Sequence, residues 1–232
     1  MRIDIVSLFP EMFEGPFASS IVARAIAVGA VEIGVVGLRR FGVGVHHVTD
    51  DQPYGGGVGM LMRPEPLVEA VEWTAAHHPS APHVVLTAAA APLLTQTDLE
   101  RWARLEHLIV IAGHYEGVDQ RVVEILKAEE RSIGSFVLTG GELPAMVIVD
   151  GVVRLLPGVL GAPEAPERDS YSGTDRLLEA PQYTRPPSYR GLEVPVVLRS
   201  GDHARVGRWQ AEESERRTRR LRPDLLEDPE PQ

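Results

Sequence analysis

Short runs of β-branched and aliphatic residues alternate with stretches of helical periodicity through the first two-thirds of the chain. This alternation is the strongest constraint on its fold. Ile3–Phe9 reads as a first strand stopped by Pro10, and Val31–Val36, His83–Leu86, Leu108–Ala112 and Ile133–Leu138 read as further strands. Between them, Glu11–Ala27 carries apolar residues at helical spacing up to a stop at Gly29. Helices are also expected near Glu65–Ala75, Thr97–Arg104 and Gln120–Glu130. Pro144 stands where a first helical turn tolerates proline. It opens Ala145–Leu156, with Met146, Val149, Val152, Val153 and Leu156 on one stripe. Strands and helices in alternation imply an α/β fold with a largely parallel sheet.

The character of the chain changes after residue 160. Gly161–Ser172 is rich in Gly, Ala, Pro, Glu and Asp and nearly free of bulky apolar side chains, which marks it as a flexible linker. A proline-rich stretch Ala180–Tyr189, a short strand Val194–Leu198 and a polar helix from about His203 to Leu221 follow, with a frayed tail after Pro229. The expected domains are therefore 1–160, a linker 161–172, and 173–232. The formal net charge of −10 argues against coating nucleic acid by bulk electrostatics. Yet Arg199–Arg222 holds eight arginines against four acids, so a polyanion would meet that end first. Cysteine is absent, which excludes disulfides and thiolate chemistry. No apolar run approaches the ~20 residues of a bilayer span, and Met1–Pro10 lacks the pattern of a secretory signal, so a cytoplasmic protein without membrane attachment is expected.

Three glycine-rich loops adjoin strands: Tyr54–Gly59, Gly113–Gly117 and Thr139–Pro144. None has the spacing of a dinucleotide fingerprint or a phosphate loop, and each alone is better explained by a plain turn. Three together at strand ends suggest a ligand crevice, because α/β proteins bind ligands outside the carboxyl ends of parallel strands. There is no His-Glu-x-x-His metal motif and no Gly-x-Ser-x-Gly nucleophile elbow. Asp150 and Arg154 have the spacing of a surface ion pair, and Asp169 in the linker reads by composition as a solvated acid.

Longer motifs are more specific. Gly113-His-Tyr-Glu-Gly-Val-Asp-Gln-Arg121, Ser132-Ile-Gly-Ser-Phe-Val-Leu-Thr-Gly-Gly-Glu-Leu-Pro-Ala145, Arg154-Leu-Leu-Pro-Gly-Val-Leu160, Pro181-Gln-Tyr-Thr-Arg-Pro186 and Ser200-Gly-Asp-His203 resemble, in order and spacing, the bacterial tRNA (guanine-N1) methyltransferase family, TrmD. The resemblance runs from Ile3 to about Leu226. It implies a SPOUT-type parallel sheet with a C-terminal trefoil knot, a small helical C-terminal domain that binds tRNA, and a homodimer. It implies methylation of N1 of guanosine 37, beside the anticodon, with S-adenosylmethionine as donor. The resemblance also implies dependence on Mg²⁺, whose ligands no motif assigns.

By the same resemblance, the cofactor would lie against Leu86, Gly113, Tyr115, Glu116, Ile133, Gly134, Ser135, Phe136, Val137, Leu138, Gly140, Gly141 and Pro144. Asp50, Gly59, Ser170, Arg185 and His203 would meet the RNA. Asp169 is implied as the catalytic base and Arg154 as the stabiliser of guanine O6. Elementary chemistry agrees that a base is needed, since guanine N1 bears a proton and its lone pair is tied into the ring amide. One departure stands out: the family's Ser-Pro-Gln-Gly-like loop is replaced here by Thr87-Ala-Ala-Ala-Ala-Pro92, which leaves only backbone contacts to adenine at that place.

Overall fold

The computed structural model describes residues 1–162 and 165–226. The expected fraying after Pro229 lies outside the described residues. The chain divides into two compact units, Met1–Gly161 and Ala162–Gln232.

The first unit is built on five parallel strands, β1 (Arg2–Ser7), β2 (Glu32–Gly37), β5 (His83–Thr87), β6 (His107–Ala112) and β7 (Glu129–Arg131), in the order β2-β1-β6-β5-β7. Two two-residue strands, β3 (Asp50–Asp51) and β4 (Leu61–Met62), pair antiparallel beside it. Helices α1 (Glu14–Phe17), α2 (Ser20–Ala27), α3 (Pro64–Ala76), α4 (Gln96–Trp102), α5 (Gln120–Leu126) and α6 (Glu142–Val153) complete the unit. Every residue of β6 is buried, as a central strand covered on both faces requires. Its alternation divides the core: Leu108, Val110 and Ala112 pack with α2 and α6, whereas Ile109 and Ile111 pack with α3 and with Leu38 and Phe41. The stripe of α6 is buried at Val149, Val152 and Val153, with Ala145 and Ile148 joining it.

Four sequence expectations are corrected. Glu11–Ala27 is not one helix but a 3₁₀ turn at Pro10–Phe13 followed by α1 and α2, separated where Ser19 turns extended and Ser20 adopts a positive φ of 56°. The helix expected to reach Glu130 stops at Leu126, because Lys127 takes a left-handed conformation and residues 129–131 join the sheet as β7. Ile133–Leu138 is not a strand. It is an irregular bend in which Phe136 N–H bonds back to Gly134 O at 2.9 Å, and its apolar side chains face outward, Val137 being 82% exposed. Val194–Leu198 is not a strand either: after Pro195 the chain forms a 3₁₀ turn, Val196–Arg199.

The second unit contains α7 (Ala165–Arg168), a hairpin of β8 (Ser188–Tyr189) and β9 (Leu192–Glu193), and α8 (His203–Leu221). Asp202 caps α8 by accepting from Arg205 N–H at 3.0 Å. The segment after α7 is fastened to α8 through Thr218, which is wholly buried. The Thr218 hydroxyl accepts from Leu178 N–H at 2.9 Å and donates to Ser214 O at 2.8 Å, while Ser214 Oγ donates to Leu178 O at 2.6 Å.

Candidate active-site crevice

Outside the carboxyl ends of β6, β5 and β7 lies a crevice of about 430 Å³, within the usual range for small-molecule sites. Its floor is made by close backbone approach at Gly113 and Gly141. Gly141 N–H donates to Gly113 O at 2.6 Å, and a Cβ on Gly141 would collide with Thr87 Oγ1 and lie 2.6 Å from Gly113 N. Thr87 anchors this crossing: its hydroxyl donates to Ile111 O at 3.1 Å and accepts from Gly113 N–H at 3.2 Å.

Of the thirteen candidate cofactor residues, Leu86, Gly113, Tyr115, Glu116, Ile133, Phe136, Val137, Leu138, Gly140, Gly141 and Pro144 line this crevice. Gly134 and Ser135 belong to the same bend but do not line it. Ala88, Ala89 and Ala90 of the divergent loop also form part of the wall, as do Thr87, His114 and Arg131. Sequence reasoning missed these last three. Thr87 ends a strand, which was the available signal, whereas the role of its hydroxyl depends on Gly141, far along the chain.

The turn Gly113–Gly117 is held by β4 and its approach. Glu116 N–H donates to Met60 O at 3.0 Å and Met62 N–H to Gly117 O at 2.9 Å. Tyr115 takes a positive φ of 58°. Burial, then the neighbouring Asp50 carboxylate, hold its phenol above the ordinary tyrosine range. Gly59, at φ +92°, lies against the Glu116 side chain, where any Cβ would clash. The structure thus brings the RNA candidates Asp50 and Gly59 to Tyr115 and Glu116. Arg154 is elsewhere, at the C-cap of α6, about 15 Å along the helix axis from Pro144.

Outside the first unit, Asp169 is half-buried and its carbonyl accepts from Ser172 N–H at 3.1 Å. Ser170 Oγ accepts from Glu179 N–H at 3.0 Å. Arg185 is exposed, and His203 opens α8. The exposed arginines 205, 208, 216, 219 and 220 lie along α8.

The outer wall of the crevice is braced by an ion network. Arg131 clasps Asp98 with two hydrogen bonds of 3.0 and 3.1 Å, and Arg101 reaches both Asp98 (2.9 Å) and Glu129 (2.7 Å). Although burial opposes ionisation, these arginines and the Thr95 cap hold the Asp98 carboxyl well below the usual carboxylate range. Among the described residues, no group of three or more His, Asp or Glu side chains could hold a metal ion, so the donor set does not fit an all-protein Mg²⁺ cage. No described helix is long and apolar enough to cross a membrane.

A family model described as tRNA (Guanine-1)-methyltransferase TrmD matches residues 1–228. Proteins named tRNA (guanine-N(1)-)-methyltransferase are similar along nearly the whole chain. One from Dehalococcoides mccartyi is 51% identical over 227 residues, covering 98% of this chain and 91% of that protein. One from Bacillus licheniformis is 52% identical over 227 residues (98% and 93%), and one from Bacillus subtilis 50% identical over 228 (98% and 93%).

Proposed function

Because this chain belongs to the tRNA (guanine-1)-methyltransferase TrmD family, we propose that it transfers a methyl group to N1 of guanosine 37 in tRNA, with S-adenosylmethionine as donor. The observation that carries the reading is the glycine-floored crevice at the strand ends. The missing Cβ atoms at residues 113, 140 and 141 let Thr87, His114, Glu142 and the two backbone segments close together beneath it, and the volume suits a nucleoside-sized cofactor. When bound, S-adenosylmethionine supplies an electrophilic methyl group on a cationic sulfur.

The chain's own residues do the rest. The Asp169 carboxylate accepts the proton from guanine N1, freeing the nitrogen lone pair for in-line attack. Charge that develops on guanine O6 is met by the Arg154 guanidinium. Asp50 and Gly59, beside Tyr115 and Glu116, receive the target base, while Ser170, Arg185 and His203 meet the RNA, with α8 as its electrostatic track. No step is routed through Mg²⁺.

The working form is a homodimer in the cytoplasm, with residues 1–160 as methyltransferase domain, 161–172 as linker and 173–232 as tRNA-binding domain. Exposed apolar side chains in the first unit support the dimer: Leu143 (52%) and Val147 (47%) stand one turn apart on α6, on the face opposite its buried stripe. A knotted path is supported by two sets of hydrogen bonds. Ser132 is bonded on both sides to the loop after β5, to Pro92 and Leu94, and the chain then returns across the sheet to meet Gly113 at Gly141.

The test is methyl transfer from labelled S-adenosylmethionine to tRNA transcripts carrying guanosine or adenosine at position 37, with the product mapped by mass spectrometry. The expected result is 1-methylguanosine at position 37 only. Label at another nucleotide, or cofactor binding without transfer, would overturn the proposal. The second of those outcomes would favour an RNA-binding protein without activity.

A further inference from the structure

One buried acid takes no part in the mechanism above. Glu142 is the first residue of α6 and is only 2% exposed. Removing a carboxylate from water is unfavourable unless donors replace the lost hydration. Two are present: Ser7 Oγ, at the end of β1, donates to Oε1 at 2.9 Å, and the helix N-terminus offers its positive end. The other oxygen, Oε2, lies 3.4 Å from Nδ1 of His114. That nitrogen is itself buried and makes no hydrogen bond, although it faces an acceptor. Gly140 is pressed against both groups, so that a Cβ there would collide with Glu142 Oε2 and His114 Nδ1.

The His114 ring belongs to the crevice wall. It lies against Phe9 on one side and meets Tyr115 edge-on, each at 5.0 Å between ring centroids. An acid from the N-terminus of α6 therefore faces a side chain that links the sheet end to the strained turn at Tyr115.

We infer that Glu142 is a positioning residue: its carboxylate takes a hydrogen bond from Nδ1–H of His114 and so fixes the Gly113–Gly117 wall for the cofactor. The inference rests on the reading that S-adenosylmethionine occupies the crevice. In that state the 3.4 Å separation closes to hydrogen-bond distance, and the proton sits on Nδ1 rather than Nε2. Ser7 keeps the carboxylate aimed while His114 moves.

The experiment is calorimetric titration of S-adenosylmethionine into the full chain, as wild type, Glu142→Gln, His114→Phe and the double variant, with thermal melting and steady-state kinetics on the same preparations. Gln keeps an acceptor for Ser7 but loses the charge facing His114, and Phe keeps the ring contacts but loses Nδ1. Each single change is expected to weaken cofactor binding about tenfold or more, as for a lost hydrogen bond to a charged group. The double variant should be no weaker than either, since both remove one interaction. The kinetic loss should fall on KM for the cofactor, at least tenfold more than on kcat.

Binding within twofold of wild type in either single variant, or losses that multiply in the double, would overturn the inference, as would equal losses in kcat and KM. If Glu142→Gln fails to fold, His114→Phe decides alone, because it leaves the Ser7–Glu142 bond intact. Failure of the wild type itself to bind the cofactor would instead refute the proposed function, and this inference with it.

Discussion

Replacing Gly141 by alanine adds one carbon at the most crowded point of the crevice floor. The new Cβ would collide with Thr87 Oγ1 and stand 2.6 Å from Gly113 N and 3.0 Å from Gly113 O. Two of those three atoms are backbone at the end of a fully buried strand, and the third is fixed by its own bonds to Ile111 and Gly113, so none can step aside cheaply. Overpacking of this kind costs about 1–3 kcal/mol. Displacing Thr87 would leave buried partners without hydrogen bonds, adding about 1–3 kcal/mol. The expected total of roughly 2–6 kcal/mol corresponds to a fall of about 4–24 °C in the melting temperature, using about 2–4 °C per kcal/mol for a chain of this size. Cofactor affinity should fall at least tenfold, because relief requires α6 to move away from β6. Gly15→Ala is the matched control: nothing lies within 4 Å of its Cβ, and alanine favours α1 by up to about 1 kcal/mol. Differential scanning calorimetry and cofactor titration of both variants supply the measurements. A Gly141→Ala protein melting within 2 °C of wild type and binding cofactor normally would refute the argument from steric crowding.

Other expectations follow from the same geometry. Asp169→Asn should leave cofactor affinity nearly intact and lower single-turnover methylation by about 10²–10⁴-fold, and retention of more than a tenth of the rate would remove Asp169 as the base. The depressed Asp98 and Glu129 carboxyls stabilise the fold above the unfolded carboxylate values near pH 4, and that contribution is lost as pH falls through their lower folded values. Melting temperature should therefore drop steeply below about pH 4 in the wild type and less steeply in Asp98→Asn, and parallel pH profiles would contradict the network's role. Thr218→Val keeps the shape of the side chain but strands Leu178 N–H, so it should cost about 1–3 kcal/mol in the second unit and speed amide exchange at Leu178; unchanged exchange would show that the hydroxyl is dispensable.

What could be read from the sequence divides along physical lines. β1, β5 and β6 announce themselves because burial on both faces demands aliphatic runs, and the edge strand β2 by its β-branched residues alone. β7 does not, since Glu129, Glu130 and Arg131 are selected for the ion network and for pairing with β5 rather than for a core, and in sequence they continue a helix. The opposite error occurs a few residues later. Ile133–Leu138 has the apolar run of a strand because it walls a crevice, and hydrophobicity alone does not tell a wall from a core. The glycine loops were legible as a crevice, and eleven of the thirteen candidate cofactor residues do surround one space. Gly134 and Ser135 fall outside because they form the bend itself, which Phe136 N–H closes onto Gly134 O. The roles of His114, Thr87 and Glu142 were not legible because each depends on partners distant in sequence: Phe9, Gly141 and Ser7.

The position of β1 has a consequence for how the molecule is made. The first residues of the chain end up near the middle of the sheet, with β2 on one side and β6 on the other. The β2 side can be completed once residue 37 is available, but the β6 side requires residues 107–112. At about 5–20 residues per second, a growing chain spends roughly 4–15 seconds with one edge of its parallel β1–β2 pair uncovered. Until β6 arrives, Ile3 and Ile5 have no lasting place to be buried. Commitment to a stable fold therefore comes late in synthesis, when the sheet closes around the segment that was made first.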